Sequence, residues 1–363
     1  MERLNHKIIE RVFIIYHGVD PDGYFSGALL KNYFQEQFIK YREIRYNKKK
    51  NINAEQSILL FPGFYEYSED TVNNIKGIFA QNTQGIHYNN ILVITDFSFK
   101  MEPFLDLLQT CRENDCHEII WFDHHERTIN ELQQNDLLAD LNGTRNPKVA
   151  ATRSVFDYVY DSNPVFYGRC EELINYVANY DIWNFNPFNT NDPVLHINNA
   201  LEATLIGSFN EKVYKAEDLL KSLNKKNNQK EINELLDLGS KIQLYVNSQH
   251  SRGRSYIKKY RWRLNQWSPW LTIGVGNITT RDSLYFNHVI KDVDFILAWS
   301  LKEPNIMGSL RSYHKEDDSE YDVAELAAEF GGGGHKNASG FHMSRKEFNK
   351  KWLNKLHLVV DVK

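Results

Sequence analysis

The sequence predicts an α/β fold: a doubly wound, mainly parallel sheet domain, then a smaller α/β C-terminal domain joined to it by a helical connector. Three observations predict this. Short apolar runs alternate with helical stretches through the first half of the chain, the pattern of a parallel sheet with crossover helices. The main runs end in a polar, mostly acidic group, which places those groups along the crevice at the strand ends of such a sheet. After Trp267 the texture changes back to strands, so a second core begins there.

In chain order, Arg11 to Tyr16 reads as a strand, followed by His17-Gly18-Val19-Asp20-Pro21-Asp22-Gly23 as a polar turn and a helix from Ser26 to about Phe38. Ser57 to Phe61 reads as a second strand. Ile91 to Thr95 is short, apolar and β-branched, and it delivers Asp96 at its end. A helix from Pro103 to about Asn114 leads to the strand Ile119 to Phe122, which delivers Asp123, His124 and His125. Ala150 to Asp181 is helical and closes on Asn179-Tyr180-Asp181-Ile182-Trp183, before a loop rich in Asn and Pro from Asn184 to Pro193. From Glu202 to about Tyr260 the chain is helical and charged, interrupted near Asn224 to Gln229. Strands follow at Trp270 to Val275, Phe295 to Leu301 and Ile306 to Leu310, then a helix from Val323 to Phe330 and the run Gly331-Gly332-Gly333-Gly334-His335. The expected division is a domain over 1–205, a connector over 206–265 and a second domain over 266–363.

Composition bounds the function. With 363 residues, 42% hydrophobic and 25% charged, the chain is globular rather than disordered, and long enough for two cores. No apolar stretch has the length to span a bilayer, and the start, Met1 to Lys7, lacks a signal-peptide h-region, so a cytoplasmic protein with no membrane partner is expected. Cys111, Cys116 and Cys170 make no disulfide framework and are read as structural thiols in a reducing compartment. A net charge of −4 supplies no global field for long nucleic acid. Lys48-Lys49-Lys50 and Lys225-Lys226 read as solvated faces. The stretch from Arg252 through Lys258, Lys259, Arg261 and Arg263 interleaves Tyr256, Tyr260, Trp262 and Trp267, a pattern that suits either base stacking or anchoring to a core. Heavy use of Asn, Lys, Ile and Tyr points to an AT-rich genome, bacterial or viral.

The strand-end and helix-end groups are His17, Asp20, Asp22, Asp96, Asp123, His124, His125 and Asp181. Carboxylates gathered in one crevice repel unless cations are present. Carboxylates with a few imidazoles and no thiolate favour Mn2+ or Mg2+, with Co2+ also open, over structural zinc. One carboxylate shared by two ions about 3.5–4 Å apart is the arrangement used for in-line displacement at phosphorus. Singly, Asp-x-Asp-Gly is a common turn, Asp96 an N-cap and Asp181 a surface acid. Their joint occurrence in this order is what points to a metal site. The glycine run offers backbone N–H groups for close approach to a phosphate or base, and Arg311 and His335 supply charge-assisted bonds to a terminal phosphate.

The set His17-x-x-Asp20-x-Asp22-Gly23-x-x-Ser26, Asp96, Asp123-His124-His125 and Asp181 resembles the signature motifs of the DHH phosphoesterase superfamily. Ser309-Leu310-Arg311-Ser312, with Val323 to Ala327 and Gly331 to Phe341, resembles the DHH-associated substrate-binding domain. The forms of the first and fourth motifs look closest to the nano-RNase and oligoribonuclease branch, and the proline between Asp20 and Asp22 departs from the relatives with pAp phosphatase activity. The resemblance implies His17 and Asp20 on a first metal, Asp22, His124 and Asp181 on a second, Asp96 bridging, Asp123 orienting a neighbouring His and His125 facing the scissile phosphate. It implies substrate contacts from Arg311, Ser312, Gly332, Gly333, Gly334 and His335.

The function expected is a Mn2+-dependent phosphodiesterase, an exonuclease in its action, that degrades short RNA or DNA oligonucleotides to nucleoside 5′-monophosphates, with a homodimer left open. Two rivals stand beside it: a phosphodiesterase for cyclic dinucleotides or their linear products, and a catalytically silent nucleic-acid-binding subunit. The completeness of the metal set argues against the second rival.

Overall fold

A computed structural model describes residues 7–46, 58–63, 69–79, 86–97, 99, 101–114, 116–133, 141–224, 228–253, 256–278, 283–287, 289–313 and 321–359. The chain divides into two compact units, Met1–Ile242 and Gln243–Lys363. The lysine clusters at 48–50 and 225–226 lie outside the described residues.

The first unit is α/β. Its sheet has the order β2-β1-β3-β4, built from β1 (Lys7–His17), β2 (Ile58–Gly63), β3 (Ile86–Thr95) and β4 (Cys116–Phe122). All three pairings are parallel. Parallel neighbours need crossover helices, and α1 (Pro21–Tyr46), α2 (Glu69–Phe79) and α3 (Met101–Glu113) supply them. Alternate residues of β1 explain why its run is apolar without a break. Val12, Ile14 and Tyr16 enter one core with α1, and Phe13 and Ile15 enter the other with α2 and α3. Helices therefore cover both faces, the doubly wound arrangement. The order also fixes a switch point: the chain leaves β1 for β2 on one side and returns for β3 on the other, so the ends of β1 and β3 open a crevice.

After β4 come α4 (Glu126–Gln133), α5 (Ala151–Tyr160), α6 (Pro164–Asp181), α7 (Pro193–Thr204), α8 (Phe209–Leu223) and α9 (Asn228–Gly253). The stretch read as a connector is distributed between the two units. Val213, Ala216, Leu220 and Leu223 of α8 and Ile232 of α9 are buried in the core of the first unit, and α9 runs through the division. Lys258–Trp262 is a strand of the second sheet, since its alternate residues Tyr260 and Trp262 pack into that core.

The second unit holds a mixed sheet of order β11-β5-β6-β7-β8-β10-β9. Its strands are β5 (Lys258–Trp262), β6 (Leu271–Asn277), β7 (Phe295–Lys302), β8 (Asn305–Arg311), β9 (Gly333–His335), β10 (Ala338–Ser344) and β11 (His357–Leu358). The helices α10 (Val323–Ala328) and α11 (Arg345–Lys351) contribute Val323, Leu326, Ala327 and Phe348 to one core, where the Trp262 and Trp352 rings stack 4.5 Å apart. No helix among the described residues is long and apolar enough to cross a membrane.

Candidate metal centre

The first helix starts earlier than the sequence pattern predicts, and this shapes the site. The polar turn after β1 is short because Asp20 caps α1: Gly23 N–H donates to Asp20 Oδ1 at 3.2 Å, and Pro21 takes the first helical position, where a missing N–H costs nothing. Asp22 thus stands in the first helical turn. Gly23 permits a close approach, since a Cβ there would lie 1.9 Å from the carbonyl oxygen of His17.

Asp20 caps with one oxygen and reaches His17 with the other, its Oδ2 lying 2.9 Å from His17 Nδ1. Asp96 follows β3 in the left-handed backbone region, with φ of 51°, which Asp tolerates better than most residues. Its N–H donates to Phe122 O at 3.0 Å, so the ends of β3 and β4 are tied together. The Asp96 carboxylate divides its contacts. Oδ2 lies 3.4 Å from His17 Nδ1, and Oδ1 lies 3.2 Å from His124 Nε2. His124 Nε2 is also 3.2 Å from Oδ2 of Asp181, the last residue of α6.

Three groups of ligand-capable atoms result, each within 4.8 Å of one another: His17, Asp20 and Asp96; Asp22, His124 and Asp181; and Asp96, His124 and His125. The six residues expected to hold metal are therefore together. The donor set fits hard or borderline divalent cations, being oxygen and imidazole nitrogen without thiolate. Asp96 Oδ2 and Asp181 Oδ2 are buried and face imidazole nitrogens, His17 Nδ1 at 3.4 Å and His124 Nε2 at 3.2 Å, so a cation there would find oxygen and nitrogen donors already gathered.

Burial and mutual charge set the protonation. Burial alone drives Asp96 upward, but hydrogen bonds and charge from His124 and His17 override it and hold the carboxyl far below its usual range. Burial pulls His17 down, and Asp20 and Asp96 more than reverse that, so its imidazole stays well above its ordinary value. The same contest, with Asp181 and then Asp96 as partners, raises His124. Burial, reinforced by Asp96, pushes Asp22 up to about 7 against the opposing influence of His124 and Thr152. Burial also lifts Asp181, with His124 opposing and Asp22 and Asp96 adding to the rise. The two imidazoles thus stand between the carboxylates, where cations would otherwise offset the repulsion.

Asp123 and His125 form a separate pair beside this cluster. Asp123 Oδ1 accepts from the N–H groups of His124 and His125 at 2.8 and 3.2 Å and lies 2.6 Å from His125 Nδ1. Asp123 is fully buried and orients His125, whose imidazole it holds above the ordinary value against burial.

Sequence reasoning missed the support of Asp22. Asp22 Oδ2 accepts from Ala151 N–H and Oδ1 from Thr152 N–H, each at 2.9 Å, and the Thr152 hydroxyl also donates to Oδ1. Helix α5 has Ala150 at its N-cap and no capping side chain of its own. An uncapped helix start among Ala150, Ala151 and Thr152 was the available signal.

In the second unit, Ala338 of β10 stands opposite Arg311 of β8 on one side and His335 of β9 on the other. Directly opposed residues share a sheet face, so Arg311, Ala338 and His335 form one row across it. Ser309, Gly340 and Gly333 form the next. Arg311 Nη1 donates to Leu310 O and Ser339 O at 2.8 and 3.3 Å. Ser312 is buried and occupied within the turn, its hydroxyl donating to Lys336 O at 3.4 Å and accepting from Asn337 Nδ2 at 3.1 Å. The glycine run does several jobs. Gly331, with φ of 76°, ends α10, and Gly332 N–H donates to Ala327 O at 2.9 Å. A Cβ on Gly332 would meet Gly340 O at 2.0 Å, and one on Gly334 would meet Ala338 O at 2.6 Å, so both are needed for close packing. Gly333 faces open space.

No family model matches the chain. The uncharacterized protein R106 of Acanthamoeba polyphaga mimivirus is 22% identical over 342 residues, covering 91% of this chain and 67% of that protein. Among solved structures, an uncharacterized protein from Helicobacter pylori G27 is similar at 18% identity with a TM-score of 0.43, covering 92% of this chain and 93% of that one. The pGpG-specific phosphodiesterase PggH from Vibrio cholerae is similar at 13% identity with a TM-score of 0.43, covering 94% and 95%. RecJ from Thermus thermophilus, solved with Mn2+, is similar at 15% identity with a TM-score of 0.40, covering 94% of this chain and 50% of that one. Likenesses at this level say nothing of this chain's chemistry.

Proposed function

We propose that this chain is a metal-dependent phosphodiesterase that hydrolyses short oligonucleotides to nucleoside 5′-monophosphates. The observation that carries the reading is Asp96, whose two oxygens address two different imidazole–carboxylate sets. In this reading His17 and Asp20 would hold one cation and Asp22, His124 and Asp181 a second, with Asp96 placed to serve both. Mn2+ suits this donor set best. When bound, such cations neutralise phosphoryl oxygens and acidify an attacking water.

The chain's own residues do the rest. Burial raises both Asp22 and Asp181, so binding of a cation would favour their deprotonated forms. Asp123 engages Nδ1 of His125 and so fixes the orientation of the ring; in this reading its Nε2 would face a phosphoryl oxygen and offset charge developing there. In the second unit, Arg311 and His335 share a row beside small residues, so a flat, weakly obstructed surface adjoins two groups able to bind a terminal phosphate. Gripping a substrate by its terminal phosphate would favour chains that carry one.

Product analysis tests this. Purified protein with Mn2+ is incubated with 5′-phosphorylated di-, tri- and pentanucleotides of RNA and DNA, cyclic dinucleotides and pAp, and the products are separated by chromatography. Conversion of the shortest linear substrates to monophosphates, faster than the longer ones, is the expected result. Preference for cyclic dinucleotides, or inactivity on the whole panel with metal bound, contradicts it.

A further inference from the structure

The basic and aromatic stretch at the start of the second unit is divided by β5 into a buried half and an exposed half. Tyr260 and Trp262 point into the core, and Lys259 pairs with Asp292 at 3.1 Å. Arg261 and Arg263 turn the other way, onto the ring of Trp270. Their guanidinium carbons stand 5.2 and 4.6 Å from its centroid, and His357 of β11 meets the same ring edge-on at 5.1 Å. Beside them Trp267 is 87% exposed.

The loop that presents Trp267 is tied down. Trp267 N–H and Ser268 N–H donate to Asn265 Oδ1 at 2.9 and 3.0 Å, and Arg263 Nη1 donates to Gln266 O at 3.2 Å. An indole held out in water on a braced turn gives up apolar burial without gaining flexibility. Neither Arg261 nor Arg263 pairs with a carboxylate among the described residues. A guanidinium stacked on an indole keeps its in-plane N–H donors free for a bidentate anion. This edge lies at the opposite end of the strand order from β8, β9 and β10, so it is separate from the row of Arg311 and His335.

We propose that this edge binds single-stranded nucleic acid, with a nucleobase stacked on Trp267 and backbone phosphates taken by Arg261 and Arg263. An exposed indole beside two guanidiniums that pair with no carboxylate among the described residues matches the alternation of base and phosphate along a single strand. An acidic peptide would use the charges and leave the indole unused. The inference extends the oligonucleotide reading above, but binding at this edge does not require cleavage.

The test is fluorescence anisotropy of a labelled oligothymidylate of about twelve nucleotides with the full chain in EDTA, comparing wild type, Trp267→Ala and the double variant Arg261→Gln/Arg263→Gln. Circular dichroism melting confirms that each variant is folded. Trp267→Ala is expected to weaken binding about tenfold. The double variant is expected to remove about a sevenfold share of the weakening seen between about 50 and about 200 mM salt, the amount two phosphate contacts on a single strand supply. Wild type that does not bind, or variants that bind as wild type does, overturn the proposal. Equal competition by a polyglutamate peptide overturns the stacking assignment. Dinucleotide hydrolysis is measured alongside. If it is absent from wild type while binding still depends on Trp267, the edge stands and the proposed activity falls; if it is present and unchanged while binding is insensitive, the reverse holds.

Discussion

Thr152 holds Asp22 by two bonds at once: its backbone N–H donates to Asp22 Oδ1 at 2.9 Å, and its hydroxyl donates to the same oxygen. The Ala151 N–H takes the other oxygen. A carboxylate from the first turn of α1 therefore caps the start of α5, 130 residues later in the sequence. The cap does two jobs, since the helix terminus gains an anion and the anion is fixed where a cation can use it.

Thr152→Val removes the hydroxyl and leaves the backbone bond. Loss of a partner that orients a metal ligand costs about 10–100-fold in metal affinity. Calorimetric titration with Mn2+ should show that loss in Thr152→Val and near-normal affinity in Thr152→Ser. Equal affinity in all three proteins would deny Thr152 a positioning role.

The metal-free centre should lose stability as pH rises. Raised folded-state values for His17 and His124 contribute stability that is complete below their unfolded value of about 6.5 and is lost above it. Asp22, raised to about 7, likewise contributes below the unfolded value of about 3.9, and that contribution is gone once pH reaches its folded value. Asp96 is depressed, so its contribution is already complete above pH ~5 and does not vary in this window. Cation binding needs the deprotonated ligands and strengthens with pH. Melting in EDTA should give a falling Tm from pH ~5.5 to ~8, while the increment from added Mn2+ grows. A Tm that climbs in EDTA over that interval, or an increment indifferent to pH, contradicts the assignment.

Gly23→Ala should damage the site through sterics alone. The new methyl would overlap the His17 carbonyl, forcing apart the end of β1 and the start of α1. A destabilisation of about 1–3 kcal/mol in denaturant unfolding is expected, together with weakened Mn2+ binding. A variant of unchanged stability would mean that this approach is looser than described.

Arg311→Ala should raise KM for substrates bearing a terminal phosphate and leave kcat nearly unchanged, because uniform binding is what it removes. Steady-state kinetics with and without that phosphate give the answer. An equal change for both substrates removes the gripping role.

Much of the first unit is readable in the sequence because each signal is local. The apolar run of β1 alternates between two buried faces, and a four-strand parallel sheet brings the residues after β1, β3 and β4 to one edge by geometry alone. His17, Asp96 and His124 could therefore be gathered from spacing. Thr152 could not, since its role depends on a contact between helices far apart in sequence. The packing of α8 and α9 was hidden for a related reason: their charged surface residues conceal an apolar stripe, Val213, Ala216, Leu220 and Ile232, whose partner core belongs to another part of the chain. The glycine run mixed several backbone requirements into one pattern, and three of its four members answer to chain geometry.

Whether Asp96 joins two cations is decided by Mn2+ titration followed by electron paramagnetic resonance. Two Mn2+ per chain with the broadened spectrum of a spin-coupled pair are expected, converted in Asp96→Asn to the six-line signal of isolated ions. One uncoupled ion per wild-type chain, or no binding at all, would contradict that expectation.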